Sequence, residues 1–183
     1  VGRGPLAGPV VVASCVMPLD DGKIIFGLDD SKKLSARQRD ELFEKIKRTA
    51  IEYSIQQVDE QTIDSINILQ ATKLGMKRSI EALPQKPNLA LIDAVKDVDS
   101  DVDQIAIIKG DATSYSIASA SILAKVYRDK LMESLDKQYP QYHFAKHKGY
   151  GTKEHIELLK KYGPSKIHRK SFIKHFVEIK WNN

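Results

Sequence analysis

Two hydrophobic rhythms alternate along this chain. Residues 6–17 form an apolar, valine-rich run interrupted by Gly8 and Pro9. That pattern predicts a core strand, either as a bent strand pair or as one strand entered through a tight turn. Ser35 followed by Gln38 is a capping-box pattern, and Leu42, Phe43 and Ile46 then line one side, so a helix is expected over 36–48. Residues 51–58 alternate like a half-buried strand. Ile66, Leu69, Lys73, Met76, Ile80 and Leu83 then step by three and four, as on a helix. Residues 88–92 and 104–108 are short apolar runs, as expected of strands covered on both faces, and each is followed closely by an aspartate.

The segment 112–137 reads as a helix with an unusually small face, made of Ser116, Ala120 and Ala124, that would let it approach a sheet closely. Thr152 can cap a helix that Gly163 and Pro164 end, and a further helix is expected over 171–179. Strands alternating with helices point to an α/β fold. A catalytic domain is expected over 1–140 and a basic helical appendage over 141–183.

Charge sharpens this picture more than overall composition, which is ordinary for a globular protein. The formal net charge is +5. Residues 141–183 carry ten Lys or Arg against three acids, whereas 93–111 carry six Asp against Lys96 and Lys109. A basic surface suits a polyanion, and an acidic pocket beside it suits a metal-dependent nuclease. No apolar run reaches the roughly 20 residues of a membrane-spanning helix, no secretory signal is evident, and the single Cys15 cannot form an internal disulfide. A cytoplasmic protein is expected, with Cys15 as a buried strand residue.

Asp93 follows a short apolar strand, at the end where α/β sheets hold ligands, although an aspartate there can equally form a turn. Asp111 precedes the small-faced helix, where it can equally be a cap. Clustered carboxylates suit Mg²⁺, a hard cation, and two such ions can stabilise the attacking and leaving oxygens of a phosphodiester. Asp97, Asp99, Asp101 and Asp103 alternate as in a calcium loop, but Val102 and Ile108 occupy positions that need Gly and Glu. His147 and His155 lack zinc-site spacing.

The opening Val1-Gly2-Arg3-Gly4-Pro5-Leu6-Ala7-Gly8-Pro9-Val10 closely resembles the first signature of type 2 ribonucleases H, the ribonuclease HII family. Further matches follow in family order: 30–34 (Asp-Ser-Lys-Lys-Leu), 91–93, 109–111, 118–126 with Arg128-Asp129, 147–152 (His-Lys-Gly-Tyr-Gly-Thr) and 168–172 (His-Arg-Lys-Ser-Phe). The resemblance spans nearly the whole chain and is closest to bacterial members. It implies a ribonuclease H-like mixed central sheet flanked by helices.

It also implies an endonuclease acting on RNA·DNA hybrids and on single ribonucleotides embedded in DNA, in support of replication and repair. Such an enzyme works with two divalent ions, Mg²⁺ or Mn²⁺, and leaves 5′-phosphate and 3′-hydroxyl ends. Of the family's four carboxylates, two correspond to Asp93 and Asp111. The other two, an Asp-Glu pair, would immediately precede Val1 in the natural protein. Gly2, Arg3 and Gly4 would contact the ribonucleotide, and Tyr150 would pack on the following deoxyribose. Ser31, Lys32, Lys125, Arg169 and Ser171 are candidates for phosphate contacts. A monomer without a membrane partner is expected. One competing reading is an RNA·DNA-binding fragment without catalysis, since two carboxylates lie outside the sequence; another is a resolvase-like nuclease, against which Gly2-Arg3-Gly4 and Tyr150 argue.

Overall fold

The computed structural model describes residues 1–28 and 34–177, so Ser31 and Lys32 lie outside the described residues. Strand β1 (Val10–Val16) pairs antiparallel with β2 (Glu52–Val58), Val10 lying opposite Val58 and Val16 opposite Glu52. Between them runs α1 (Ala36–Thr49), opened by the expected capping box: the Ser35 hydroxyl accepts the Gln38 amide, and the Gln38 side chain accepts the Ser35 amide. Phe43 and Ile46 of α1 close a core with Met17, Ile25, Leu28, Ile122 and Leu123.

Helix α2 (Glu60–Glu81) is bent at Asn67, whose backbone is left-handed (φ 67°) and whose side-chain oxygen accepts the amides of Leu69 and Gln70. The asparagine thereby starts the second half of the helix as an internal cap. Strands β3 (Leu89–Asp93) and β4 (Asp103–Ile107) run parallel. Contrary to expectation they are not covered on both faces: Leu89, Leu91, Ile105 and Ile108 are 40–81% exposed.

The helix expected over 112–137 is two. A single turn, α3 (Gly110–Thr113), gives way at Ser114, which is extended and whose hydroxyl accepts the Ile117 amide to start α4 (Tyr115–Gln138). Short α5 (Phe144–His147), then α6 (Lys153–Tyr162), capped by Thr152, and α7 (Lys170–Ile173) complete the order.

The boundary expected at residue 140 runs through shared packing. Ala7, Met132, Tyr142 and Phe144 form one buried cluster, and Leu6, Leu159 and Ile173 another. An isolated bridge also pairs Ala7 with His168. No helix among the described residues is long and apolar enough to cross a membrane.

Among the described residues the strands form two separate pairs rather than one continuous sheet. A cavity of about 480 Å³ lies between the facing edges of β1 and β3, and the small face of α4, Ser116, Ala120 and Ala124, lines it. Helix α4 nevertheless packs closely on β1, as its small face leads one to expect, with Ala118 and Ile122 sharing a core with Ala13 and Ile55.

Candidate functional site

Asp93 ends β3, and its Oδ1 accepts the Gly110 amide at 3.0 Å. That bond brings the first turn of α3, where Asp111 sits, beside Asp93. Gly110 leaves room for Ile117, whose Cδ1 would lie 2.5 Å from an added Cβ and would have to shift. Both aspartates are half-buried. The opening residues reach the same place. Val1 exchanges both backbone hydrogen bonds with Val11, and its amine lies within electrostatic reach of Asp93 and Lys125. Lys125, half-buried on α4, forms an ion pair with Asp129 at 3.0 Å.

Residues 2–9 make a loop built around two arginines whose side chains are fully buried. Arg128 donates to the carbonyls of Pro9, Ala7 and Lys148 at 2.9–3.1 Å. Arg169 donates to those of Gly8, Arg3 and Gly2 at 2.7–3.0 Å. Planar guanidinium groups suit this task, since each presents five donors in a fixed fork. Burial, then the neighbouring Arg128 charge, lowers the Arg169 pKa to about 10. The half-buried Glu60 of α2 acts electrostatically on both guanidiniums, and burial pushes its own carboxyl upward. At Gly2 (φ 81°) an added Cβ would fall 2.2 Å from Arg128 Nε, so the glycine gives the guanidinium its place.

The turn after α5 docks on this loop: Leu6 donates to the Gly149 carbonyl at 2.8 Å, and a Cβ on Gly149 (φ 82°) would lie 2.4 Å from the Ala7 oxygen. The Tyr150 ring is consequently held beside Gly4 and near Arg128, whose guanidinium carbon is 5.9 Å from the ring centroid. Tyr150 is 41% exposed, so packing in the core is not its role. Arg3 and Gly4 are also exposed, whereas Gly2 is buried with its carbonyl bound to Arg169. Gly4, Arg3 and Tyr150 thus share one surface.

Two expected phosphate contacts are corrected. Arg169 is buried and its donors serve backbone carbonyls. The Ser171 hydroxyl and amide both donate to the Asp64 carboxylate, which also accepts the Lys170 amide, so an acid already occupies the start of α7. Arg128 was not singled out for any role by sequence reasoning, yet a signal existed: Ala124, Arg128 and Met132 recur every four residues on an otherwise small and apolar face.

Beneath the Tyr150 turn lie three buried histidines. His155 and His168 meet Nε2 to Nε2 at 3.1 Å, and His147 stacks on His155 with ring centroids 4.4 Å apart. Burial lowers the pKa of His155 from 6.5 to about 4, and that of His168 to about 3. The neighbouring charges acting on this group include His143 and Glu154, which oppose one another at His147. Between those values and 6.5 the unfolded chain binds protons that the folded chain does not. Stability from this source is therefore complete above about pH 6.5 and falls as the pH drops toward 4. Urea unfolding between pH 4 and 7 is expected to show the midpoint rising with pH, and a clearly shallower rise after substitution of both His155 and His168, with the remainder from His147 and Glu154.

The ribonuclease HII sequence model matches residues 1–175. The chain is 54% identical over 178 residues to the ribonuclease HII of Caldicellulosiruptor bescii, covering 97% of this chain and 85% of that protein. It is likewise 54% identical to that of Clostridioides difficile, with 96% and 68% covered. Among solved structures, ribonuclease H2 from Pyrococcus horikoshii superposes with a TM-score of 0.80 at 25% identity, covering 98% of this chain and 96% of that one. Bst-RNase HIII in complex with Mn²⁺ gives 0.67 at 19% identity over 89% of this chain and 60% of its own, a likeness of fold. Matched by the family model over nearly its whole length and by relatives at 54% identity, this chain belongs to the ribonuclease HII family of endoribonucleases.

Proposed function

We propose that this endoribonuclease hydrolyses RNA strands in RNA·DNA hybrids and incises DNA at single embedded ribonucleotides. The observation that carries the reading is the convergence of Asp93, the Asp111 turn and the start of the glycine loop at one cleft. The surface above it supports the substrate. Gly4 lacks a side chain, so backbone polar groups can approach a 2′-hydroxyl there, and the Tyr150 ring beside it offers a flat face for the next sugar. Arg3 and Lys125 supply positive charge for the phosphates.

Asp93 and Asp111 offer hard oxygen donors that suit Mg²⁺ or Mn²⁺. Two carboxylates alone are a small ligand set, and among the described residues no group of three or more metal-capable side chains occurs. The reciprocal pairing of Val1 with Val11 aims the chain leading into Val1 along the open edge of β1, toward the cleft that Asp93 lines. An Asp-Glu pair on those preceding residues completes the set in this reading. When bound, two such ions supply charge stabilisation to the attacking and leaving oxygens. The Gly110 amide holds Asp93 Oδ1 in orientation, leaving its other oxygen for the ion. The Arg128–Arg169 framework fixes the loop that positions the scissile ribonucleotide.

The natural full-length protein should be assayed with Mg²⁺ or Mn²⁺ on three duplexes: a hybrid, a DNA duplex with one ribonucleotide, and an all-DNA control. Expected are cuts in the first two only, leaving 5′-phosphate and 3′-hydroxyl ends. Equal cutting of the all-DNA control, or resistance of both ribonucleotide substrates, would refute the proposal.

A further inference from the structure

We propose that His168, His155 and His147 are positioning residues for Tyr150, forming a neutral relay of fixed tautomers that locks the backbone on both sides of the sensing ring. The inference rests on the reading of Tyr150 as the group that meets the sugar.

The protons can be assigned from the ends of the chain of bonds inward. At one end the Ser165 amide, which can only donate, points at His168 Nδ1 over 2.9 Å, so that nitrogen is unprotonated. The hydrogen of His168 therefore sits on Nε2 and is donated to His155 Nε2 at 3.1 Å. His155 must in turn carry its hydrogen on Nδ1, and there it meets the Tyr150 carbonyl, which can only accept, at 2.8 Å. The line begins in the loop before α7 and ends on Tyr150 itself. His147 works on the preceding peptide. It accepts the Gly149 amide at Nδ1 (3.2 Å) and directs Nε2 toward the Tyr142 carbonyl (2.8 Å), so its hydrogen is on Nε2. The His147 carbonyl also accepts the Tyr150 amide.

A turn could be packed with aliphatic groups at lower desolvation cost, since buried imidazoles must find partners for both nitrogens. Here nearly every partner is backbone of the turn or of the segments that flank it. The result is a surface tyrosine whose ring is exposed while its amide and carbonyl are fixed from beneath. An interaction surface that must discriminate a single hydroxyl needs its contacts placed within about half an ångström.

The test compares His155→Leu, His155→Asn, Tyr150→Ala and the double variant His155→Leu/Tyr150→Ala in the full-length protein, at a temperature where each is folded. Asparagine places an N–H donor near the position of Nδ1 and can retain the bond to the Tyr150 carbonyl. The readout is the ratio of kcat/KM on a duplex with one ribonucleotide to kcat/KM on a uniform hybrid. His155→Leu is expected to shift that ratio about tenfold in the same direction as Tyr150→Ala, with the double variant no further shifted, as for residues acting through one contact. His155→Asn should stay near the unmodified ratio. Multiplying effects in the double variant, or a fall in melting temperature with the ratio intact, would overturn the histidine proposal while leaving the tyrosine reading in place. An unchanged ratio in Tyr150→Ala would instead overturn the tyrosine reading, and the relay proposal with it. Long-range ¹⁵N–¹H spectra of the imidazoles add an independent check: Nε2–H on His168 and Nδ1–H on His155 are expected, and the opposite tautomers would contradict the assignment.

Discussion

Asp93→Asn is expected to reduce incision of a ribonucleotide-containing duplex by at least about a hundredfold, the scale on which loss of one charge-stabilising group acts. Asparagine is nearly isosteric and keeps a carbonyl oxygen that can still accept the Gly110 amide, so the turn carrying Asp111 stays in place. What disappears is the negative charge facing the cleft. Duplex affinity measured at fixed salt in the absence of divalent ion should change by less than about twofold, because phosphate contacts come from cations elsewhere. Gel-shift and incision assays on the same preparation separate the two effects. Loss of affinity together with a lower melting temperature would mean that Asp93 serves the fold instead of the reaction.

Arg169→Met is expected to be among the most destabilising single changes. It keeps much of the aliphatic bulk but removes the donors to the Gly2 and Gly8 carbonyls, in a buried setting, and to the partly buried Arg3 carbonyl. A buried acceptor left without a partner costs about 1–3 kcal/mol, so the two buried ones give a loss of roughly 2–6 kcal/mol. Total stabilities of about 5–15 kcal/mol make that loss large enough to unfold much of the population on mild warming. Arg169→Lys retains the charge but not the fork, and should recover only part of the loss. Denaturant unfolding reads both, and a loss under about 1 kcal/mol for Arg169→Met would show that water replaces the guanidinium.

Local grammar was the legible part of the sequence. The Ser35 and Gln38 pair, Thr152 as a cap and the alternation of residues 51–58 each depend on neighbours within four positions, and each appears in the structure as read. The Asp93 position followed from the same logic, as the end of a short apolar run. The reading of one helix over 112–137 missed the break at Ser114 because a serine tolerated inside a helix and one capping it look alike in a list of residues. Arg169 was misread for a different reason. A cation in a basic segment carries no local mark of whether it faces solvent or carbonyls, and its partners lie more than 160 residues away. Edge pairing is equally non-local: apolar runs identify β1 and β3 as strands but say nothing about the cleft between them.

The arginine clasp has a temporal consequence. Arg169 joins residues near the two ends of the described chain, with 166 and 167 positions separating it from Arg3 and Gly2. Such distant closures form late, because the entropy of bringing remote segments together must be met before any bond repays it. During synthesis, which proceeds from the amino end, the loop has no clasp until residue 169 has left the ribosome. A nascent or prematurely ended polypeptide therefore lacks the donors that hold the Gly2, Arg3 and Gly8 carbonyls, and its opening loop stays unfastened until the last tenth of the chain is made.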